Sequence, residues 1–169
     1  MPINKYIESL PPEHPASTIF NIARIAPEKT RGSFFTSALT TLRLFTSKSI
    51  YGMTCKSDFS LKQSGERKTV TYIILPDEKT TYYPLASLFV YQNYVSLVES
   101  ADERGGELKI RVNYILDEFG NFTTIPAFGN MLTVAGGRRI RFNLFLQSFS
   151  QLDNKYGREI AENIRDNCQ

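Results

Sequence analysis

Apolar and polar positions repeat with different periods along the 169-residue chain. In the first third the period is helical: residues 33–45 have apolar side chains three and four positions apart, which predicts one apolar helical stripe. Prolines separate two further helices, predicted at residues 2–10 and 16–25, because proline ends one helix and can begin the next. Residues 47–68 are polar and irregular, which predicts a connection. The stripe consists of Phe35, Ala38, Leu39, Leu42 and Phe45.

The pattern changes after residue 68. Residues 69–75 are rich in β-branched and aromatic side chains and are followed by a proline, as a buried strand often is. Further strands are predicted at 108–116 and 140–146, and helices at 84–100, at 126–135 and from about residue 154. Strand and helix therefore alternate three times. This order predicts an α/β fold with a parallel sheet and right-handed crossover helices.

Composition excludes several classes of protein. Apolar residues make up 41% of the chain, and no run approaches the roughly 20 apolar residues that span a bilayer. Two cysteines and one histidine are too few for a zinc site or a disulfide framework. We therefore expect a soluble, cytoplasmic chain that is neither exported nor membrane-spanning.

Charge is spread unevenly. Residues 1–68 contain ten basic and five acidic side chains, a net +5, and residues 69–169 contain ten and twelve, a net −2, which together give +3. Nucleic-acid-binding domains usually show stronger basic clustering. The excess permits contact with a polyanion but is typical of an ordinary solvated surface.

Two adjacent carboxylates, Asp117 and Glu118, follow the strand predicted at 108–116. In parallel sheets, ligands bind beyond the carboxyl ends of the strands. In nucleotide hydrolases this arrangement, called Walker B, lets the aspartate hold Mg²⁺, usually through water, while the glutamate orients the attacking water. The pattern is short, and two solvated acids after a strand would produce it as well.

Gln147 follows the strand predicted at 140–146. An amide at this position can contact a γ-phosphate or hold the attacking water without changing charge. A glutamine after a strand is also an ordinary turn residue. Its place on the strand after the acidic pair favours the role of a nucleotide sensor.

A basic cluster at Arg138, Arg139 and Arg141 precedes that strand. An arginine from this cluster can reach the phosphates of a neighbouring subunit and stabilise transition-state charge. The same cluster complements the dipole at the end of the preceding helix, which is an equally good structural interpretation.

The phosphate-binding loop of nucleotide hydrolases (P-loop, G-x-x-x-x-G-K-[ST]) does not occur in the sequence, since no glycine precedes a lysine. No G-x-S-x-G elbow and no pair of histidine ligands occurs either. These absences exclude a P-loop ATPase that is complete within this sequence.

Several short motifs occur in a fixed order. They are LDEFGNF at 116–122, IP at 125–126, LQSFSQL at 146–152, YG at 156–157 and NC at 167–168. Together they resemble the second half of the TraG/TraD-type coupling ATPases of conjugative type IV secretion, over nearly all of residues 69–169. Upstream, TRGS at 30–33, SDF at 57–59 and IILPD at 73–77 are similar to the stretch that leads into that half.

The resemblance implies a hexameric, ring-forming motor at the cytoplasmic face of the bacterial inner membrane. Such a motor uses ATP to pass relaxase-bound single-stranded DNA to the type IV secretion channel. In that family a membrane anchor and the P-loop precede an all-α insertion, after which the chain returns to a RecA-like core. The chain then resembles a fragment with a helical segment of the all-α domain at 1–50, a connection at 51–68 and the Walker B half of the RecA-like domain at 69–169.

The resemblance also implies roles for individual residues. Asp117 becomes the Mg²⁺ acid, Glu118 the catalytic acid and Gln147 the sensor of bound ATP. The family commonly has G-R-S-R-x-I-R before the third strand, where this chain has AGGRRIR at 135–141. Because the first arginine of that pattern falls on a glycine here, Arg138, which matches the second, is the candidate arginine finger.

Two functional hypotheses follow. The chain is part of a DNA-translocating ATPase, inactive alone because the P-loop lies elsewhere, or it is a docking module. In the second case the helices at 1–50 bind relaxase, DNA or an accessory protein, and the α/β portion supports them. An unrelated α/β protein would require all the later motif matches to be accidental.

Self-association is a further expectation. A fragment that lacks the P-loop strand beside residues 108–116 leaves backbone groups and apolar side chains unpaired at a sheet edge, which favours association. We expect the isolated chain to self-associate through this edge. Light scattering at high concentration measures the assembly state, and a strictly monomeric profile would contradict the expectation.

Overall fold

The structure is a computed structural model that describes residues 3–76, 78 and 80–168. Pro2 of the predicted first helix and Asp77 of the IILPD motif lie outside these residues. The chain divides into two compact units, Met1–Lys56 and Ser57–Gln169, and the domain limits predicted from the family stay predictions. Among the described residues, no helix has both the length and the apolar character needed to cross a membrane.

The first unit is helical. Helices α1 to α4 occupy Ile3–Glu8, Pro15–Ile25, Glu28–Leu42 and Lys48–Thr54, and a 3₁₀ turn lies at Arg43–Thr46. The three helices predicted in this region are thus confirmed, with shifted ends. The rings of Phe20 and Phe35 lie 6.5 Å apart. Nevertheless, no residue of α3, all of which are described, is buried, so the apolar stripe remains largely exposed.

Part of the connection predicted at 47–68 is helical, and that prediction was wrong there. Helix α4 lies within it, as does helix α5 of the second unit, at Gln63–Glu66. Such short helices are stabilised by local hydrogen bonds, for example the one from the N–H of Tyr51 to the carbonyl of Ser47 at 2.8 Å. They do not need the long apolar period on which a sequence-based assignment relies.

The second unit is an α/β core built on two parallel strands. Its elements are α6 at Tyr83–Asp102, β1 at Val112–Leu116, α7 at Phe128–Ala135, β2 at Ile140–Leu144, α8 at Ser150–Tyr156 and α9 at Arg158–Asn167. The strands pair with Val112 opposite Ile140 and Leu116 opposite Leu144. The predicted α/β fold with a parallel sheet is confirmed.

One face of the sheet is buried. Tyr114, Leu116 and Ile140 lie on it with less than a tenth of their surface exposed, whereas Ile115 on the other face is 70% exposed. The rings of Phe119 and Phe128 extend this core, with centroids 5.0 Å apart. Burial of apolar surface contributes about 25 cal/mol per Å². The stabilisation from the sheet therefore comes mainly from one of its faces.

The strand predicted at residues 69–75 was wrong. Among the described residues, the segment forms no ladder with another strand. Val70, Tyr72 and Ile74 are 73, 85 and 91% exposed. A strand requires hydrogen bonds to a neighbouring strand, and a β-branched composition does not provide a partner. The segment instead lines an open groove of about 960 Å³, together with β1.

The last predicted helix is divided by Gly157. Its backbone, with φ 77° and ψ 157°, ends α8 and begins α9. This region of conformational space is essentially restricted to glycine. Tyr156 and Ile164 are therefore buried from two helices, and Ile160, which is four residues from each of them, is 47% exposed.

Substitution of Gly157 tests this break. Gly157→Ala should lower the free energy of unfolding by about 1–3 kcal/mol, because alanine rarely adopts this backbone conformation. Gly136→Ala is the matched control, since Gly136 has φ −58° and open space around a Cβ. Its stability should change by less than about 1 kcal/mol. Urea unfolding followed by circular dichroism measures both, and equal effects would contradict the assignment.

Candidate functional site

Strand β1 places Asp117 and Glu118 at the carboxyl edge of the sheet. Side chains alternate along the strand, with Tyr114 and Leu116 buried and Ile115 exposed. Beyond the strand the chain leaves the sheet, and Asp117 is exposed while Glu118 is half-buried. Two carboxylates therefore lie at the edge where parallel α/β sheets bind ligands.

Backbone hydrogen bonds continue beyond the two strands. The N–H of Phe145 donates to the carbonyl of Leu116 at 3.0 Å, and the N–H of Phe119 donates to the carbonyl of Phe145 at 2.9 Å. These bonds hold the turn after β1 against the segment after β2. As a result, Glu118 and Gln147 are brought to the same place.

The amide of Gln147 contacts the carboxylate of Glu118 directly. Its Nε2 lies 3.1 Å from Oε1 and 3.1 Å from Oε2 and donates to this carboxylate. A hydrogen bond to a carboxylate is stronger than one between neutral groups, and a neutral donor leaves the negative charge in place. The structure thus brings these two side chains together, while their catalytic and sensor roles stay predictions.

Glu118 has a left-handed backbone, with φ 49° and ψ 39°. This conformation costs a residue with a Cβ about 1–2 kcal/mol. The N–H of Glu118 donates to Oδ1 of Asp117 at 3.0 Å. Ala127 and Arg139 also have left-handed backbones, so strain alone does not mark the site. The combination of strain with the Gln147 contact distinguishes Glu118 from them.

The carboxylate oxygens at this edge fit a magnesium ion whose other ligands are mainly water and phosphate. In the part of the chain that the structure describes, no group of three or more His, Cys, Asp or Glu side chains is placed to hold a metal. Mg²⁺ is commonly bound through one or two carboxylates, with waters and substrate phosphates completing its shell. Asp117, which is exposed at the edge, meets that requirement.

Arg138 lies at the other end of the sheet. It precedes β2, whereas Gln147 follows it. Its Nη2 donates to Oδ1 of Asp102 at 3.1 Å, and its Nε is buried without a hydrogen-bond partner among the described residues. Within this chain Arg138 is therefore not brought to Asp117 and Glu118. A role as arginine finger toward a neighbouring subunit stays a prediction.

Two side chains of α8 that touch this region escaped the sequence analysis. The Oε1 of Gln151 accepts the N–H of Gln147 at 3.3 Å. The Nζ of Lys155 donates to the backbone carbonyl of Gly120 at 2.6 Å. A spacing of four residues places Gln151 and Lys155 on one face of a helix. That spacing is the one sequence signal that relates them.

Burial changes the acid–base properties of two groups near the site. It lowers the pKa of the Lys155 ammonium, because removal from water disfavours the charged form. It raises the pKa of the Tyr114 hydroxyl, which donates to Oδ1 of Asn93 at 2.5 Å. Tyr114 is therefore held as a neutral donor within β1.

The type IV secretory system conjugative DNA transfer family matches residues 5–169, nearly the whole chain. The chain belongs to this family. It is 27% identical over 127 residues to protein VirD4 of Rhizobium rhizogenes, an alignment that covers 75% of the chain. It is 26% identical over 152 residues to conjugal transfer protein TraG of Escherichia coli, covering 84% of the chain.

The fold is shared with a solved structure, the bacterial conjugative coupling protein TrwBdeltaN70 in a trigonal form in complex with sulphate. The TM-score is 0.64 at 23% identity, over 84% of this chain and 33% of that one. The predicted partial RecA-like fold of a coupling protein is thereby confirmed. The chain spans 19% of VirD4 and 24% of TraG.

Substitution of Glu118 by glycine tests whether the left-handed backbone at this residue costs stability. Glu118→Gly should raise the free energy of unfolding by about 1 kcal/mol, because glycine adopts this conformation without steric cost. Glu118→Gln keeps the Cβ and is the matched control, with a change below about 0.5 kcal/mol. Urea denaturation measures both. If Glu118→Gly is the less stable variant, backbone strain at this residue contributes less to the free energy of unfolding than the side-chain contacts that glycine removes.

Proposed function

We propose that this chain is the Walker B half of the nucleotide-binding core of a conjugative coupling ATPase. The observation that carries the proposal is the pair of 3.1 Å contacts between the Gln147 amide and the Glu118 carboxylate. They lie at the carboxyl edge of two parallel strands, where ligands bind in this class of fold. Membership of the conjugative DNA transfer family supports the same interpretation.

In this proposal Glu118 is the catalytic acid that orients and polarises the water attacking the γ-phosphate of ATP. Its carboxylate is held by the Gln147 amide, and its backbone by the hydrogen bond to Asp117. A group that is oriented before the substrate arrives needs little reorganisation during the reaction. Gln147 acts as the sensor, because an amide can exchange a carboxylate partner for a phosphate oxygen without a change of charge.

Asp117 is the proposed Mg²⁺ acid and acts through water. A magnesium ion held there through water would supply positive charge beside the phosphates of ATP. The hydrogen bond from the Glu118 N–H to Oδ1 of Asp117, at 3.0 Å, fixes the first carboxylate relative to the second. The cation-binding group and the water-orienting group are thereby kept in a constant relation.

Hydrolysis also requires a phosphate cradle, and the 169 residues contain no P-loop motif. We therefore propose that this chain is inactive alone and acts as part of a longer, hexameric motor. Arg138, at the opposite end of the sheet from Gln147, is the proposed arginine finger toward a neighbouring subunit. Its ion pair with Asp102, at 3.1 Å, would have to open for this purpose.

The partners proposed for the motor are relaxase, single-stranded DNA and components of the type IV secretion channel. Its proposed place is the cytoplasmic face of the bacterial inner membrane. The family description, conjugative DNA transfer, supports the DNA cargo. The net charge of +5 over residues 1–68 is consistent with a polyanion as one of these partners.

A docking module is the second candidate, and one observation favours it. Helix α3 has no buried residue, and it exposes Phe35, Leu39 and Leu42, which share one helical face, to 40, 67 and 53%. Exposed apolar side chains on one face often mark an interaction site. In that case the first unit binds relaxase, DNA or an accessory protein, and Asp117 and Glu118 have no catalytic role.

The two candidates predict different effects of Glu118→Gln. In a coupling protein that contains this segment together with a P-loop, the ATPase proposal predicts at least about a 100-fold loss of hydrolysis. Mg–ATP binding should persist. Glu162→Gln, at an exposed position of α9, is the matched control and should hydrolyse ATP at the parental rate. Phosphate release measures hydrolysis, and calorimetry measures binding.

Unchanged hydrolysis in Glu118→Gln would overturn the catalytic assignment and favour the docking module. Titration of Mg–ATP into the 169-residue chain, and into a version extended through a P-loop, gives an independent check. Binding by the extended version alone supports a split nucleotide site. Binding by neither version counts against the whole ATPase proposal.

A further inference from the structure

Helix α8 holds the turn that follows β1. This turn is a 3₁₀ helix at Phe119–Asn121, in which the N–H of Phe122 donates to the carbonyl of Phe119 at 3.2 Å. The Nζ of Lys155 lies 2.6 Å from the carbonyl oxygen of Gly120 and 3.4 Å from that of Phe119, and it also contacts the carbonyl oxygen of Phe122. An ammonium group has three N–H donors. Lys155 thus directs its donors to a single turn.

The position of the ammonium is fixed by the packing of α8. Tyr156 is buried, its ring centroid lies 6.3 Å from that of Phe119, and its hydroxyl accepts the N–H of Ile125 at 3.1 Å. Leu152, one turn earlier, is 2% exposed. These contacts anchor the helix to the core. Lys155, which is half-buried, is therefore held at the turn.

Gln151 connects the same helix to the segment after β2. Its Oε1 accepts the N–H of Gln147 at 3.3 Å. Its amide also fills the space beside Gly120, where a Cβ would overlap it. Gly120 is not among the residues with positive φ. The close approach of Gln151, and not an unusual backbone conformation, therefore favours glycine at this position, and a Cβ there would displace the flexible Gln151 amide.

The two contacts lie on either side of the candidate catalytic pair. Lys155 binds the turn that begins one residue after Glu118, and Gln151 binds the backbone of Gln147 itself. The Glu118 carboxylate and the Gln147 amide, which these two segments carry, meet at 3.1 Å. A displacement of α8 would change their separation directly.

We infer that Lys155 and Gln151 are positioning residues that hold the Glu118 carboxylate against the Gln147 amide. The inference rests on the proposed function of that pair. Neither side chain contacts a reacting atom, since both act on the backbone of the loops that carry Glu118 and Gln147. Helix α8 thereby becomes the element that keeps the acid and the sensor within hydrogen-bond distance.

Lys155→Met tests the inference in a coupling protein that contains this segment and a P-loop. Methionine has similar length but no donor. We expect kcat to fall about 10- to 100-fold, as for other residues that orient catalytic groups, with KM for ATP changed less than about twofold. Lys155→Arg retains the donors and should restore most of kcat. Lys109→Met, at an exposed position, is the control and should leave kcat unchanged.

Gly120→Ala is the second variant, and it replaces Lys155→Met if that protein fails to fold. The new methyl group displaces the Gln151 amide, while the backbone of residue 120 remains accessible to alanine. We expect a fall in kcat of similar size, again without a matching change in KM. A purely structural role would lower the amount of active protein and leave the kcat of the folded fraction unchanged.

The inference and the proposed function fail in different ways. If Glu118→Gln abolishes hydrolysis while Lys155→Met and Gly120→Ala match Lys109→Met, the positioning role is overturned and the motor proposal stands. If Glu118→Gln leaves hydrolysis intact, the motor proposal falls, and the geometry is tested by NMR of the 169-residue chain. The side-chain amide resonances of Gln147 should then shift in Lys155→Met but not in Lys109→Met. Unshifted resonances in both would overturn the positioning role.

Discussion

Parallel pairing requires two strands to end at the same edge of a sheet, and the second unit of this protein depends on that constraint. The ladder runs from Val112 opposite Ile140 to Leu116 opposite Leu144 and continues through the backbone of Phe145. Parallel strands need a crossover, so the chain between them must cover a face of the sheet. A register shift of one residue would turn every side chain of a strand to the opposite face. The core and the candidate site are thus set by the same hydrogen bonds.

Elements with a clear period or a clear boundary could be predicted from the sequence. Helix α6 and both strands follow from apolar runs that end at glycine, proline or charged residues. Asp117, Glu118 and Gln147 could be proposed as candidates because they lie just after such runs, and their order could be related to a family. The unpaired segment at residues 69–75 shows the limit of this approach. Its composition favours an extended backbone but contains no information about a pairing partner.

The remaining features depend on contacts between distant parts of the chain. Glutamate is not typical of a left-handed backbone, so the conformation of Glu118 has no local signature. A lysine on a helix is usually solvated, and only the folded chain brings Lys155 to the turn after β1. Gly157 is a typical helix-ending residue. The apolar spacing across it nevertheless predicted one helix. Such spacing indicates which side chains share a helical face, but it does not indicate whether the helix is unbroken.

The neutrality of the amide that faces Glu118 has an electrostatic consequence. Asp117 and Glu118 are adjacent carboxylates, and hydrogen bonding from Gln147 orients one of them without neutralising it. The ammonium of Lys155 is directed to the carbonyl groups of the neighbouring turn. In the proposed ATPase, these two carboxylates would disfavour a bare polyphosphate at this edge and favour one that arrives with a divalent cation. Discrimination between metal-free and metal-bound nucleotide would therefore begin at long range, before any phosphate contact forms.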